Sequence, residues 1–274
     1  MKLSINYSSQ AAALLTEGHI HLDYFKCPDW PHLVAEAHQY APVAVHFSLI
    51  AGNGNLNEET DWNLIEQLLT ETVTPYVNVH IDPAPKRYPA VILENPTRAQ
   101  AEKIIEHTAK DLAILVRRFG ANMVIAENSP YHANLGHVIR TVVEPEIITT
   151  LVENAGCGLL LDLSHARISA HYLRMDEWDY LGRLPLHRLC EMHFTGIHHL
   201  NGRLEDHLPA LPEDWAALER ALGLIKSGSW ARPWMVAFEY GGVGGPFEWR
   251  SEAAVIAEQM PVVWKMVKSD GHRG

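Results

Sequence analysis

The chain has 274 residues, of which 47% are hydrophobic and 20% charged, and its formal net charge is −11. This composition argues against disorder, and the acidic balance makes a nucleic-acid partner unlikely because such proteins usually present a basic face. Three cysteines without a CxxC pair favour a reducing compartment. The N-terminus resembles no signal peptide and no apolar stretch is long enough to span a membrane, so we expect a cytoplasmic protein.

Short apolar segments typical of buried parallel strands alternate with helical patterns along the chain. The predicted strands are Lys2–Tyr7, Ile20–Phe25, Val43–Leu49, Tyr76–Ile81, Asn122–Ala126, Gly158–Leu163, Leu189–Phe194 and Trp234–Tyr240. Helices are predicted at Asp61–Thr72, Thr97–Phe119, Glu144–Asn154, Glu213–Lys226 and Ser251–Lys268, and long loops at Asn55–Thr60, Asp82–Pro89 and Ile197–Pro212.

Eight strands with intervening helices and no linker predict one α/β domain, a (β/α)8 TIM barrel over residues 1–274. An open, doubly wound sheet is the alternative. It is disfavoured as a dinucleotide-binding fold because no GxGxxG motif follows the first strand.

Six successive predicted strands end in, or just before, a residue that can bind a metal ion. In chain order these residues are His46, His80, Glu127, Asp162, His193 and Glu239. Chemistry in such barrels lies at the carboxyl ends of the strands, and converging buried carboxylates and imidazoles are costly without a cation. One such residue alone would more often be structural, but six in one register predict a metal site.

Two further patterns extend the candidate site. Asp162-x-x-His165 follows a buried strand, so His165 can turn back towards the site. In the predicted loop after His193, alternation along an extended chain places Glu205 and His207 on one side and Asp206 on the other. The alternative is that this acidic turn is simply solvated.

Supporting roles follow for the neighbouring polar residues. Asn128 and Ser164 are candidates to hold the ligands through hydrogen bonds. Asn128 and Arg203 are also predicted to contact substrate. Glu127, Asp162 and His193, together with Glu239, are the predicted catalytic residues.

Several segments together resemble one known family. They are Cys157-Gly-Leu-Leu-Leu-Asp162, Tyr180-Leu-Gly-Arg-Leu-Pro185, Glu191-Met-His193-Phe-Thr-Gly196 and Glu205-Asp-His207, with Pro212, Trp215, Ala126-Glu127-Asn128-Ser129 and Val45-His46-Phe-Ser in support. The chain resembles the multinuclear non-haem iron-dependent oxidative enzymes, which include the methanobactin-biosynthesis oxidases and lie within the xylose isomerase-like barrel superfamily.

This resemblance implies a site and a reaction. It implies two or three iron ions, with zinc or manganese as alternatives, and O2-dependent modification of a peptide side chain, often cysteine. It also implies a partner protein that presents the peptide. The implied ligands are His46, His80, Glu127, Asp162, His193, Glu205, His207 and Glu239.

The chain departs from the family pattern at three points. His165 replaces the usual Asn, Glu205 replaces the usual Asp, and the glycine-rich opening of the first strand is absent. Three other readings therefore stay open. One is a divalent-metal sugar isomerase or epimerase, in which Glu127 and Glu239 act as acid and base and His46 and His80 bind substrate. The second is a phosphodiesterase similar to endonuclease IV, and the third is a non-enzymatic metal-binding partner of another enzyme.

Overall fold

The computed structural model describes residues 1–133, 138–244 and 250–269. In chain order its strands and helices are β1 (Lys2–Asn6), α1 (Ser9–Thr16), β2 (Tyr24–Pro28), α2 (Pro31–Ala37), β3 (Val43–His46), β4 (Ile50–Ala51), α3 (Leu56–Glu59), α4 (Trp62–Glu71), β5 (Val77–Ile81), α5 (Arg98–Phe119), β6 (Val124–Asn128), α6 (Pro145–Ala155), β7 (Gly158–Asp162), α7 (Leu163–Leu173), α8 (Glu177–Gly182), β8 (Leu189–Phe194), β9 (Gly196–Leu200), β10 (Arg203–Leu208), α9 (Pro212–Lys226), β11 (Met235–Phe238) and α10 (Ala253–Lys268).

The first of two compact units comprises Met1–His46, Leu64–Thr74 and the chain from Cys190 onward. Its parallel strands follow the order β3-β2-β1-β11-β8, and β9 and β10 form a separate antiparallel hairpin. Fully buried Leu3, Ile5, Phe25 and Phe238 lie on these strands. Burial of such side chains is the main favourable term in folding.

The second unit comprises Phe47–Asn63 and Pro75–Leu189. Its parallel strands follow the order β7-β6-β5-β4. The long helix α5 begins at a capping box, in which the Thr97 side chain accepts from the Gln100 N–H and the Gln100 side chain accepts from the Thr97 N–H. It ends at Gly120, whose φ of 89° suits a residue without a Cβ.

Most predicted elements are confirmed, and the differences have local causes. The predicted strand Ile20–Phe25 is displaced: β2 covers Tyr24–Pro28, because Asp23 is held by the Leu3 N–H before the strand begins. The prediction of a long loop at Ile197–Pro212 was wrong, since β9 and β10 occupy most of it. The prediction of a loop at Asn55–Thr60 was also wrong, since α3 occupies it, and the sequence missed the helices α1, α2, α7 and α8 and the short strand β4.

Among the described residues, no helix is both long enough and apolar enough to cross a membrane.

Candidate metal centre

Three predicted ligands of the first unit come together at the ends of β3, β8 and β11. His46 ends β3, His193 lies near the end of β8, and Glu239 follows β11, where its N–H donates to the Phe194 carbonyl. The Glu239 Oε1 atom lies 3.1 Å from His193 Nδ1 and 3.7 Å from His46 Nδ1. We call these three residues the His46 cluster; one donor atom from each lies within 4.8 Å of the others.

The electrostatics of the His46 cluster favour an ionised carboxylate. Burial by itself would raise the pKa of Glu239, which is 4% exposed. The adjacent imidazoles of His193 and His46 outweigh burial and hold that pKa well below its ordinary value. The cluster therefore offers one carboxylate and two imidazoles in a nearly dry setting.

A buried ion pair lies directly behind His193. The Lys26 ammonium of β2 donates to the Glu191 carboxylate of β8, and both side chains are almost completely buried. The Lys26 Nζ and Glu191 Oε1 atoms each lie 2.9 Å from His193 Nε2. Burial would raise the pKa of Glu191, but Lys26 and His193 lower it to about 2.

The second unit brings four predicted ligands together at the ends of β5, β6 and β7. We call His80, Glu127, Asp162 and His165 the Glu127 cluster. His80 Nε2 lies 3.2 Å from Glu127 Oε2, His165 Nδ1 lies 3.9 Å from Glu127 Oε1, and His165 Nε2 lies 3.6 Å from Asp162 Oδ2. Both carboxylates are 1% exposed.

Main-chain carbonyls orient both imidazoles of the Glu127 cluster. His80 Nδ1 lies 3.2 Å from the Leu49 carbonyl and His165 Nδ1 lies 3.0 Å from the Asn128 carbonyl. A carbonyl can only accept, so each Nδ1 carries the hydrogen. Each Nε2 then lies next to a carboxylate and is the ring nitrogen that a cation shared with that carboxylate would bind.

Local structure explains why Asp162 and His165 meet. Asp162 ends β7 and is also the N-cap of α7, with Oδ1 accepting from the His165 N–H at 2.7 Å. The cap places His165 in the first turn of the helix, facing back over the strand end. Asn128 braces the same corner, because its side chain both accepts from the Asp162 N–H and donates to the Asp162 carbonyl at 2.9 Å.

This bracing bears on the predicted role of Asn128. Its amide is fully buried and its two polar atoms are engaged with the Asp162 main chain. That arrangement matches the predicted structural role of holding a ligand. The predicted contact with substrate stays a prediction.

The hairpin residues are arranged differently from the expected alternation. Glu205 pairs with Arg203 and lies 3.6 Å from Arg250, whereas the Asp206 carboxylate lies 4.0 Å from His207 Nε2. The register shifts between Glu205 and Leu208, and His207 has a φ of 54°. A bulge of this kind breaks the alternation of side chains, so Asp206 takes the side expected for Glu205.

His207 is anchored to the same unit as the His46 cluster. Its Nδ1 donates a hydrogen bond to the Glu239 carbonyl at 2.7 Å, so Nε2 is the ring nitrogen that can bind a metal ion. The positive φ of His207 is uncommon for a residue with a side chain. Arg203, the other predicted substrate contact, is one-third exposed, and its Nε–H donates to the Glu205 carboxylate.

Sequence reasoning missed Lys26 and Glu191. A signal for Glu191 was available, because residues two apart on a strand share a face and Glu191 precedes His193 by two. Lys26 was detectable as a lone charge within the apolar segment Tyr-Phe-Lys-Cys-Pro. The choice between Glu205 and Asp206 as the hairpin ligand was left open by the sequence, because a bulge cannot be predicted from the alternation that it interrupts.

The donor atoms in both clusters fit a divalent transition metal. Mixed imidazole and carboxylate donors suit iron, zinc or manganese better than calcium or magnesium, which prefer all-oxygen sites. Among the described residues, the clusters that could hold a metal contain no cysteine. Burial raises the pKa of the Cys27 thiol to about 12, so that side chain stays a neutral core residue.

Comparisons with solved structures show the fold. The chain is similar to a D-tagatose 3-epimerase-like protein, with a TM-score of 0.56, 13% identity and coverage of 98% of this chain and 99% of that one. A D-psicose 3-epimerase crystallised in the presence of D-fructose gives a TM-score of 0.55 at 12% identity, with the same coverage. The predicted xylose isomerase-like TIM-barrel fold is thereby confirmed.

Sequence comparisons show the family. A UPF0276 protein of Acaryochloris marina is 28% identical over 123 residues, which cover 44% of this chain and 44% of that protein. The alignment thus spans less than half the length of this curated relative. Residues 31–228 match the family described as RiPP precursor modification enzyme MbnB/TglH/ChrH. The chain belongs to that family, as the resemblance of its strand-end motifs predicted.

Proposed function

We propose that the protein is an iron-dependent oxidative enzyme that modifies a side chain of a peptide substrate. One observation carries this proposal. Each compact unit gathers imidazoles and at least one buried carboxylate at the ends of its parallel strands, and neither cluster includes a thiolate. Family membership supports a peptide substrate, because the family description refers to modification of a RiPP precursor.

In this proposal each cluster holds one ion. His46, His193 and Glu239 hold the first, and His80, Glu127, Asp162 and His165 supply the ligands for the second. His207 and a carboxylate of the β9–β10 hairpin are further ligands, and they could hold a third ion. When bound, iron supplies one-electron redox chemistry and open coordination positions for O2 and a substrate donor atom.

Other groups of the chain fix the orientation of these metal ligands through hydrogen bonds. The Leu49 and Asn128 carbonyls orient two imidazoles, and the Asn128 amide fixes the main chain at Asp162. Arg203, which is partly exposed, would bind a carboxylate of the substrate. We further propose that a partner protein presents the peptide, as the sequence resemblance implies.

The test is the metal content of protein produced in iron-supplemented cells and purified without air. We expect about two irons per chain by elemental analysis, one for each cluster. Glu239→Gln and Asp162→Asn should each lower the count by about one, because each removes a ligand charge. Asparagine still caps a helix, so Asp162→Asn keeps the start of α7.

Matched controls separate metal loss from general damage. Asp176→Asn alters the cap of α8, and Asp23→Asn weakens the ion pair with Lys268; neither residue belongs to a cluster. Both should keep the full iron count. Folded protein without metal, or unchanged counts in both ligand variants, would refute the proposal.

The metal count also separates the alternatives. The isomerase or epimerase reading places its chemistry on one metal ion, so a single ion per chain with no O2 consumption would favour that reading. Two or three redox-inactive ions with phosphodiester cleavage would favour the hydrolase.

A further inference from the structure

The Lys26–Glu191 ion pair of the first unit carries a free-energy cost, because both charges lose their hydration. Lys26 is 2% exposed and Glu191 is 4% exposed, so both charges are out of water. A buried pair of this kind seldom adds net stability, and well-packed apolar residues of similar volume often serve as well or better. The pair therefore calls for a role other than stability.

The pair contacts one functional side chain. His193 Nε2 lies 2.9 Å from Glu191 Oε1 and 2.9 Å from Lys26 Nζ, while His193 Nδ1 faces Glu239 at 3.1 Å. The ring is fully buried. Its tautomer is consequently set by these protein groups and not by bulk water.

We propose that Lys26 and Glu191 are positioning residues that hold His193 as the Nε2–H tautomer, with its Nδ1 lone pair directed at the cation bound beside Glu239. This inference rests on the proposed function, because it takes His193 as a metal ligand. Glu191 accepts the Nε2 hydrogen, and Lys26 donates to Glu191 and balances its charge.

The opposite arrangement would disable the ligand. An ammonium can only donate, so a Lys26 hydrogen bond to Nε2 would place the ring hydrogen on Nδ1. That hydrogen would point at Glu239 and occupy the position that a cation needs. The Glu191 carboxylate, 2.9 Å away, is the acceptor that Nε2–H needs, and the ammonium keeps its own acceptor in the same carboxylate. A carboxylate behind a ligating imidazole also raises its basicity.

The first test reads the tautomer directly. Full-length protein with ¹⁵N-labelled histidine, freed of metal by chelation, is examined by two-bond ¹H–¹⁵N correlation, and His193 is assigned from the signal lost in His193→Gln. We expect a protonated Nε2 and an unprotonated Nδ1. A protonated Nδ1, alone or in the imidazolium form, would overturn the inference.

The second test separates positioning from stability. Lys26→Met with Glu191→Met replaces the pair by apolar side chains, so thermal stability should be unchanged or higher. Zinc affinity, measured by competition with a chromophoric chelator, should fall about 10- to 100-fold, the usual effect of losing such a partner. Asp23→Asn with Lys268→Met removes another ion pair of the same unit and should leave zinc affinity unchanged.

The outcomes distinguish the two proposals. A folded Met/Met variant with wild-type zinc affinity overturns the positioning role and leaves the proposed function standing. Wild-type protein that binds neither zinc nor iron refutes the proposed function. If the double variant does not fold, the tautomer of the wild-type protein decides the inference.

Discussion

Two adjacent carboxylates in β10 have different surroundings. Glu205 lies between Arg203 and Arg250, and the main-chain carbonyl of Asp206 also accepts from Arg250 at 2.9 Å. The side chain of Asp206, in contrast, faces His207. A carboxylate matched by two guanidinium groups is a poor candidate for a cation ligand, because a cation there would be repelled by both.

We therefore expect Asp206→Asn to lower the metal content and Glu205→Gln to leave it unchanged. Both substitutions are isosteric, and both remove one negative charge from the same strand, so each serves as the control for the other. Elemental analysis of the two variants beside the parent chain gives the answer. Loss of metal in Glu205→Gln alone would restore Glu205 as the ligand, as spacing predicts.

At the residue scale, sequence pattern predicted the candidate ligands that lie at the ends of regular strands. His46, Asp162 and Glu239 were predicted because the end of an apolar segment marks the end of a buried strand. Lys26 lies on a different strand from the residue it serves, and only the tertiary structure brings it to His193.

At the element scale, the β9–β10 hairpin depends on a close approach at Gly196. A Cβ built on this residue would lie 2.1 Å from the Pro209 carbonyl oxygen, which is main chain and cannot swing aside. His198 supports the same contact, since its Nε2 donates to that carbonyl at 2.7 Å. The start of β9 therefore accepts glycine only.

Gly196→Ala should destabilise the protein by about 2 kcal/mol or more, because steric overlap of this kind forces the backbone to shift. Gly223→Ala is the matched control. It lies inside α9 with open space around the added methyl group, and should stabilise by about 0.5–1 kcal/mol. Urea unfolding of both variants measures the two changes. Equal stability of Gly196→Ala and the parent chain would contradict the close approach.

The missed hairpin has a physical explanation. In β9 and β10 most residues are only partly buried, so the strands lack an apolar face that would reveal a period of two. The parallel strands are mostly buried and produce continuous apolar segments, as in Gly158–Asp162. A sequence pattern reveals which segments are buried, and it reveals strand pairing only where the paired strands are buried as well.

At the scale of the whole molecule, the alternation of strands and helices was enough to predict the fold class, and the structural comparisons confirm it. The prediction of a single domain stays a prediction, and the chain forms two compact units. The reaction is harder to read from the fold, because one barrel architecture supports many chemistries through its loops and site residues.

Metal binding should stabilise the folded chain, because only the folded state brings together the carboxylate and imidazole ligands of each cluster. A ligand that binds the native state alone stabilises it by RT ln(1 + [L]/Kd), about 2.7 kcal/mol at a free concentration about 100 times Kd. We expect zinc at that level to raise Tm by several degrees over chelated protein. Glu239→Gln removes a ligand from the His46 cluster only, so its Tm should rise by a smaller amount than that of the parent chain, and Glu239→Gln with Asp162→Asn should show almost no rise. Differential scanning calorimetry with and without chelator measures these shifts. Identical Tm values for the parent chain in zinc and in chelator would mean that neither cluster binds the ion in the folded state.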